Sequence, residues 1–456
     1  MSSMQDLRGF VGLIEESGEL CRIKVEVDSE LEIAAITERV SKLGDGKALL
    51  FEKVKGYQLP VLTNLFGSFR RVGWALWTDH LDALAQKIAR DLEKSMGRTA
   101  AERLQNLVEA PAWLPRLVKS APCQEIIEKQ TANLEMIPAL KSWPEDGGRY
   151  ITLPMVFSRE PVTGRMNCGM YRVQIISGKT AAIHWGEQAD GARHFKAWQA
   201  RGKPMPVAIA IGGDPVLTYS AGVPLPGGID EVSFAGYLRQ VPVDMARCTT
   251  CDLEIPASSE IVIEGYIDPA ETCTEGPFGN HTGYYVEAAP APVIHVSAIT
   301  RRRDALYPCT VVGRSPMEDC YLAKATERLF LPLLQFDVPA IKDLNFPMEG
   351  IFHGCALIAL TEQAAGQGRH VIGQLWRQGL LKHSRLLVVF DADVDVHNPS
   401  EAYWRAVNCV QGNRDILVDG VKIGIDVTRK QTRRAVKSDP ETLLLLSRRW
   451  SEYGIH

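Results

Sequence analysis

The chain has 456 residues, of which 45% are apolar and 23% charged, and a net charge of −4; this suits a globular protein of two or three domains and gives no compositional case for disorder. So mild a charge, with no basic tail, argues against electrostatic binding of nucleic acid or anionic lipid and points to small-molecule partners. The opening MSSMQDLRGFVGLIEESGEL carries Asp6, Arg8, Glu15 and Glu16 where a secretory leader would be apolar, and no run is long enough to span a bilayer, so the expectation is a cytoplasmic protein with no integral membrane segment.

Residues 4–16 place Met4, Leu7, Phe10, Val11 and Ile14 on one helical face, with Gly18 at the position of a C-terminal cap. A strand follows over 20–27, and Asp28 is placed to cap a second helix that runs to about Leu43 and closes at Gly44. Strands at 48–54 and 60–64 and a helix over 79–95 complete a small N-terminal α/β domain, residues 1–118, ending in the Pro-broken segment 110–115. Over 119–308 the texture turns to short β-rich runs separated by Gly and Pro, at 151–157, 169–177, 206–212, 260–267 and 293–300, which predicts a barrel or sandwich. After Arg301, Arg302 and Arg303, helical and strand patterns alternate at 323–331, 354–360, 366–379 and 386–390, which predicts a C-terminal α/β domain over 309–456.

Several familiar chemistries are missing. There is no Walker lysine loop and no GxGxxG after a strand, and Gly212-Gly213-Asp214-Pro215 reads as a turn. Asp391, Asp393 and Asp395 alternate as calcium ligands do, but Val396 stands where the loop needs Gly and Ala402 where it needs a bidentate Glu; these carboxylates are expected at a strand end, capping a helix that starts near Pro399. Ten cysteines, most of them single residues in apolar runs such as Cys355 and Cys409, do not form a disulfide framework. Cys248 and Cys251 form the only CxxC, and without a second pair no zinc site is expected.

Two segments concentrate reactive groups. Residues 275–285, EGPFGNHTGYY, set a carboxylate, a Gly-Pro turn, an aromatic ring and a histidine in one tight loop after a strand-like run. Residues 167–172, NCGMYR, end in Arg172 on a predicted strand, where a guanidinium is the best fixed receptor for a carboxylate.

Together these motifs resemble the UbiD family of decarboxylases, and the resemblance runs from LRGFVGLIEESGEL through DSELEIAAI to KIGIDVT. It implies an α+β multidomain fold, in which an N-terminal α/β domain and a C-terminal α/β domain that takes part in dimerisation flank a central split β-barrel of flavin-reductase type. It further implies prenylated FMN held through a divalent metal, manganese or magnesium, with potassium nearby, and a flavin prenyltransferase as supplier of the cofactor. The metal ligands fall on Asn167, on Glu231 of PLPGGIDEVSFAG and on His194 of GARHFKAW, with His184 of IHWGEQ as a competitor; Met170, Tyr171, Arg172, Ala221 and Gly222 would line the cofactor, and its Lys contact falls on Arg385, beside Lys382. In the catalytic trio, Arg172 and Glu275 match, but the second acid falls on Asn280, which cannot deliver a proton; His281 or a water held by Asn280 becomes the candidate donor.

The implied activity is a decarboxylase, open to running in either direction, acting on a small aromatic, by the HTGYY ending a hydroxyaromatic, or α,β-unsaturated acid, in a homodimer or a multiple of dimers. The alternative is a non-catalytic or assisting flavin-binding subunit of a carboxylase complex, with Asn280 the mark of lost or shared chemistry. An ordinary FMN reductase would not need both Arg172 and Glu275.

Overall fold

A computed structural model describes residues 6–44, 46–377, 379–428, 436 and 438–455. The first helix, Leu7–Glu16, starts where Asp6 accepts from the Gly9 N–H (2.9 Å), buries Leu7, Phe10, Val11 and Ile14, and ends before Gly18 at φ +73, as its apolar spacing predicts; Met4 lies outside the described residues. Strands Leu20–Val27, Ala48–Val54 and Val61–Thr63 form a sheet. The second helix, Glu32–Ser41, begins later than its sequence suggests. Asp28 accepts from the Glu30 N–H (3.0 Å) in a local turn instead of capping it, because a short side chain satisfies the nearest backbone donor first. The sheet is completed from far along the chain: Tyr307–Pro308 pairs parallel with Val61–Thr63.

The central segment is a nine-stranded antiparallel sheet running in space from Tyr150–Ile151 through Arg172–Ile175, Thr180–His184, Ala289–Arg301, Ile261–Glu275, Met205–Ile211 and Pro154–Arg159 to Met166–Gly169, with Ile126–Glu128 added on Ala289–Arg301. This is the β-rich central domain that the sequence texture predicts; among the described residues its hydrogen-bonded path is open, ending in strands of two and four residues. Period-two alternation feeds both faces. Val207, Ile209 and Ile211 enter one apolar core, while Ala208 and Ala210 enter the other. The strand expected to stop near 267 continues to Glu275, crossing a register irregularity between Ile267 and Thr272.

The helix Glu318–Asp337 sends Ala325, Leu329, Phe330 and Leu333 into the core shared with Leu84, Ile88 and Leu92 of the N-terminal helix Leu81–Lys94. Beyond it lies a five-stranded mixed sheet in the order Ile341–Asn345, Cys355–Leu360, Leu386–Phe390, Lys422–Asp426, Ile416–Asp419. The helix near Pro399 forms as expected, over Pro399–Cys409, but its cap is Asn398, which accepts from the Glu401 N–H (3.3 Å); Asp395 caps a preceding turn at His397 (2.9 Å). No helix among the described residues is long and apolar enough to cross a membrane.

Candidate active site

Glu275 is the last residue of its long strand, and its side chain is 1% exposed. Arg172 opens the strand Arg172–Ile175 and meets it edge-on, with Nε donating to Oε1 and Nη2 to Oε2, both at 2.8 Å. His184, directly opposite Arg172 in register, brings Nδ1 to 3.0 Å from Glu275 Oε2 and 3.2 Å from Arg172 Nη2. Burial alone pushes the Glu275 carboxyl up, but the hydrogen bonds from His184 and Arg172 and the Arg172 charge outweigh it and hold the group at about 2. The site is thus built around an anion that stays ionised across the physiological range. Arg172 Nη1 makes no hydrogen bond among the described residues, and the Phe278 ring covers the guanidinium at 4.5 Å.

The loop after Glu275 is held from outside. Gly276 has φ +99, and a Cβ there would meet the Ala288 backbone at 3.0 Å, so glycine is required. Its N–H donates to Gln174 Oε1 (2.9 Å), the Gly147 N–H donates to Pro277 O (2.8 Å), and the Gly279 N–H donates to Asp146 Oδ1 (2.8 Å). Asn280 Oδ1 accepts from the His281 N–H (2.7 Å), so the amide is committed to the shape of the loop. His281 Nδ1 lies 2.5 Å from Asp319 Oδ2, in the first turn of the helix Glu318–Asp337, and its ring meets Phe352 edge-on at 4.8 Å.

Five residues before Arg172 a second cluster begins. Asn167 on strand Met166–Gly169 faces Ser158 in register, and Ser158 Oγ lies 2.9 Å from Nδ1 of His194 on the helix Asp190–Ala200. Glu231, first residue of the helix Glu231–Arg239, accepts from the Cys168 N–H (3.0 Å). Burial pushes the Glu231 carboxyl up to about 7 against that bond, and lowers His194 from its usual value, which favours a neutral ring with Nε2 open. A buried carboxylate without an ion pair among the described residues, a neutral imidazole and an amide oxygen make a donor set that fits manganese or magnesium. Beside it the Met170 N–H donates to Ala221 O (2.9 Å), and Tyr171 Oη accepts from the Gly191 N–H (3.2 Å). A Cβ on Gly222 would meet only the Met170 side chain, at 3.6 Å.

His194 is thus bonded to Ser158, the cross-strand neighbour of Asn167, while its competitor His184 is bonded to Glu275 and Arg172. Arg385 is exposed just before the strand Leu386–Phe390, and among the described residues no hydrogen bond or ion pair joins its side chain to either cluster. Asp319 and the role of His184 escaped the sequence reading; only the Arg172–His184 register could have revealed the latter. Gly212-Gly213 leads into a helix N-cap, where Asp214 accepts from the Val216 N–H (2.9 Å) and pairs with buried Arg239. A cavity of about 720 Å³ between Tyr57 and Arg301 holds none of these residues.

Three family models match the chain: the 3-octaprenyl-4-hydroxybenzoate carboxy-lyase N-terminal domain over residues 11–92, the Rift-related domain over 116–315 and the C-terminal domain over 320–432. An uncharacterized protein of Archaeoglobus fulgidus is 40% identical, with 98% of each chain covered. Among solved structures, an evolved dimeric form of the UbiD-class enzyme HmfF from Pelotomaculum thermopropionicum, in complex with prFMN, superposes with a TM-score of 0.83 at 29% identity, covering 96% of this chain and 97% of that one. The vanillic acid decarboxylase of Sedimentibacter hydroxybenzoicus in closed form gives 0.86 at 26% identity, covering 99% of both.

Proposed function

Because the chain belongs to the UbiD family of carboxy-lyases, we propose that it is a decarboxylase that removes the carboxylate of an aromatic, and more narrowly a hydroxyaromatic, or α,β-unsaturated acid, using prenylated FMN and manganese or magnesium. The observation that carries this reading is the buried two-point pair of Arg172 with Glu275. One edge of the guanidinium is fixed, so Nη1 is left to bind and orient a substrate carboxylate. That second anion beside Glu275 raises its affinity for a proton, so substrate binding primes a base that is ionised in the free protein. His184, 3.0 Å away, is the path by which that proton arrives.

Asn167, His194 and Glu231 would hold the metal against the flavin phosphate, with Met170, Tyr171, Ala221 and Gly222 along the cofactor. When bound, the prenylated flavin supplies the sink for the electron pair released as the carbon–carboxylate bond breaks. Asn280 has no proton to give; in this reading the product carbon receives its proton from His281, whose ring Asp319 orients. Exposed Tyr403, Trp404 and Leu444 on the C-terminal helices Pro399–Cys409 and Pro440–Arg449 support assembly through that domain.

The test is production with a flavin prenyltransferase, mass spectrometry of the released cofactor, and carbon dioxide release from a panel of aromatic acids. Prenylated FMN with turnover is expected; plain flavin alone would overturn the cofactor. The structural use of the Asn280 amide favours one rival, an assisting subunit of a carboxylase complex. Silence on every acid with cofactor fully loaded, and activity gained in Asn280→Asp, would give that reading precedence.

A further inference from the structure

Away from both clusters, the hairpin of strands Asp244–Arg247 and Glu254–Pro256 turns through Cys248 and Cys251, with the Cys248 N–H closing on Leu253 O (2.9 Å). The turn folds over Glu264, a fully buried residue of the central strand Ile261–Glu275 whose register neighbours are the small Ala208 and Ala298. Its carboxylate accepts from the Thr249 N–H (2.9 Å to each oxygen), the Thr250 N–H (2.7 Å) and both threonine hydroxyls. Those bonds bring the two thiols round: one ligand atom each from Cys248, Cys251 and Glu264 lie within 4.8 Å of one another.

This arrangement has an electrostatic imbalance. Glu264 makes no ion pair among the described residues, and all its donors are neutral. A buried carboxylate without a cation is costly, and two thiols set beside it are disfavoured as thiolates. A divalent cation reverses the balance, because it replaces the two thiol protons and gives the carboxylate its counter-charge.

We infer that Cys248, Cys251 and Glu264 form a binding site for a thiophilic divalent cation of the zinc class, separate from the Asn167, His194 and Glu231 cluster. Glu264 Oε1 shares its Thr249 donors with Oε2 and is the oxygen able to ligate while the Thr250 N–H keeps Oε2 in place. Binding releases one proton from each thiol, and the two thiolates and the carboxylate oxygen fill three of four tetrahedral positions. The fourth falls to water. The ion would pin the hairpin to the central sheet.

The experiment uses the full chain, purified under reducing conditions without chelator, with metal content read by plasma mass spectrometry and cobalt(II) then titrated into metal-stripped protein. Expected are one zinc per chain that persists in Glu231→Ala, and a thiolate-to-cobalt charge-transfer band that Cys248→Ser and Cys251→Ser each weaken, with cobalt affinity reduced by about a hundredfold. Wild-type protein that holds no zinc and gives no such band overturns the inference, whatever the variants do. So do zinc kept by the Cys248→Ser/Cys251→Ser double variant and a purified chain lighter by two hydrogens, the mark of a Cys248–Cys251 disulfide.

Discussion

Replacing Glu275 by Gln removes the anion at the centre of the site while keeping its shape, and the consequence depends on pH in a defined way. The carboxyl is held at about 2, against an ordinary value of 4.5. A depressed carboxyl contributes stability that is fully present above the unfolded value of 4.5 and is lost as pH falls through the folded value of about 2. Each unit is worth about 1.4 kcal/mol, so the pair contributes about 3 kcal/mol at pH 7 and about 1 kcal/mol at pH 3. Thermal unfolding of wild-type and Glu275→Gln protein by calorimetry at both pH values reads this directly: the gap between them should narrow strongly at pH 3. Turnover should be abolished in the variant while the flavin stays bound. A gap of equal size at the two pH values would refute the claim that Arg172 and His184 keep Glu275 ionised.

Arg172→Lys keeps the charge but loses the two-point geometry, and kcat/KM measured with the loaded enzyme should fall by about a hundredfold. Asn280→Asp preserves the acceptor for the His281 N–H and should retain turnover on hydroxyaromatic acids, whereas Asn280→Leu strands that donor at a cost of about 1–2 kcal/mol and should lose it; wild-type rates in the leucine variant would reduce residue 280 to a turn former. Asp319→Asn should lower kcat by about tenfold at constant KM and alter the solvent isotope effect, because it disturbs the orientation of His281 and nothing in substrate binding; an unchanged isotope effect would remove His281 from the proton path.

What could be read from the sequence followed from periodicity and from dense local motifs. The Leu386–Phe390 strand and the face of the first helix are written in their spacing. Arg172 and Glu275 were visible because each sits in a motif of unusual composition, although only the fold brings residues so far apart to 2.8 Å. The start of the second helix was misplaced because two local interactions compete at Asp28, and the order of the central strands depends on pairings that no window of sequence contains. Glu264 looked like an ordinary strand residue, and nothing in its spacing from Cys248 ties it to the CxxC. Asp319 belongs to a different domain segment from the histidine it contacts, so the pair is purely tertiary.

The parallel pairing of Tyr307–Pro308 with Val61–Thr63 has a consequence for the order of events during synthesis. Chains emerge N-terminus first and domains tend to fold as they appear. Here the first sheet must wait with an open edge at Val61–Thr63 until the entire central segment has left the ribosome. An unpaired edge strand is a template for other chains. The opening segment is thus most vulnerable to misassociation on the nascent chain, and a fragment ending at residue 118 should aggregate where one ending beyond Pro308 stays soluble.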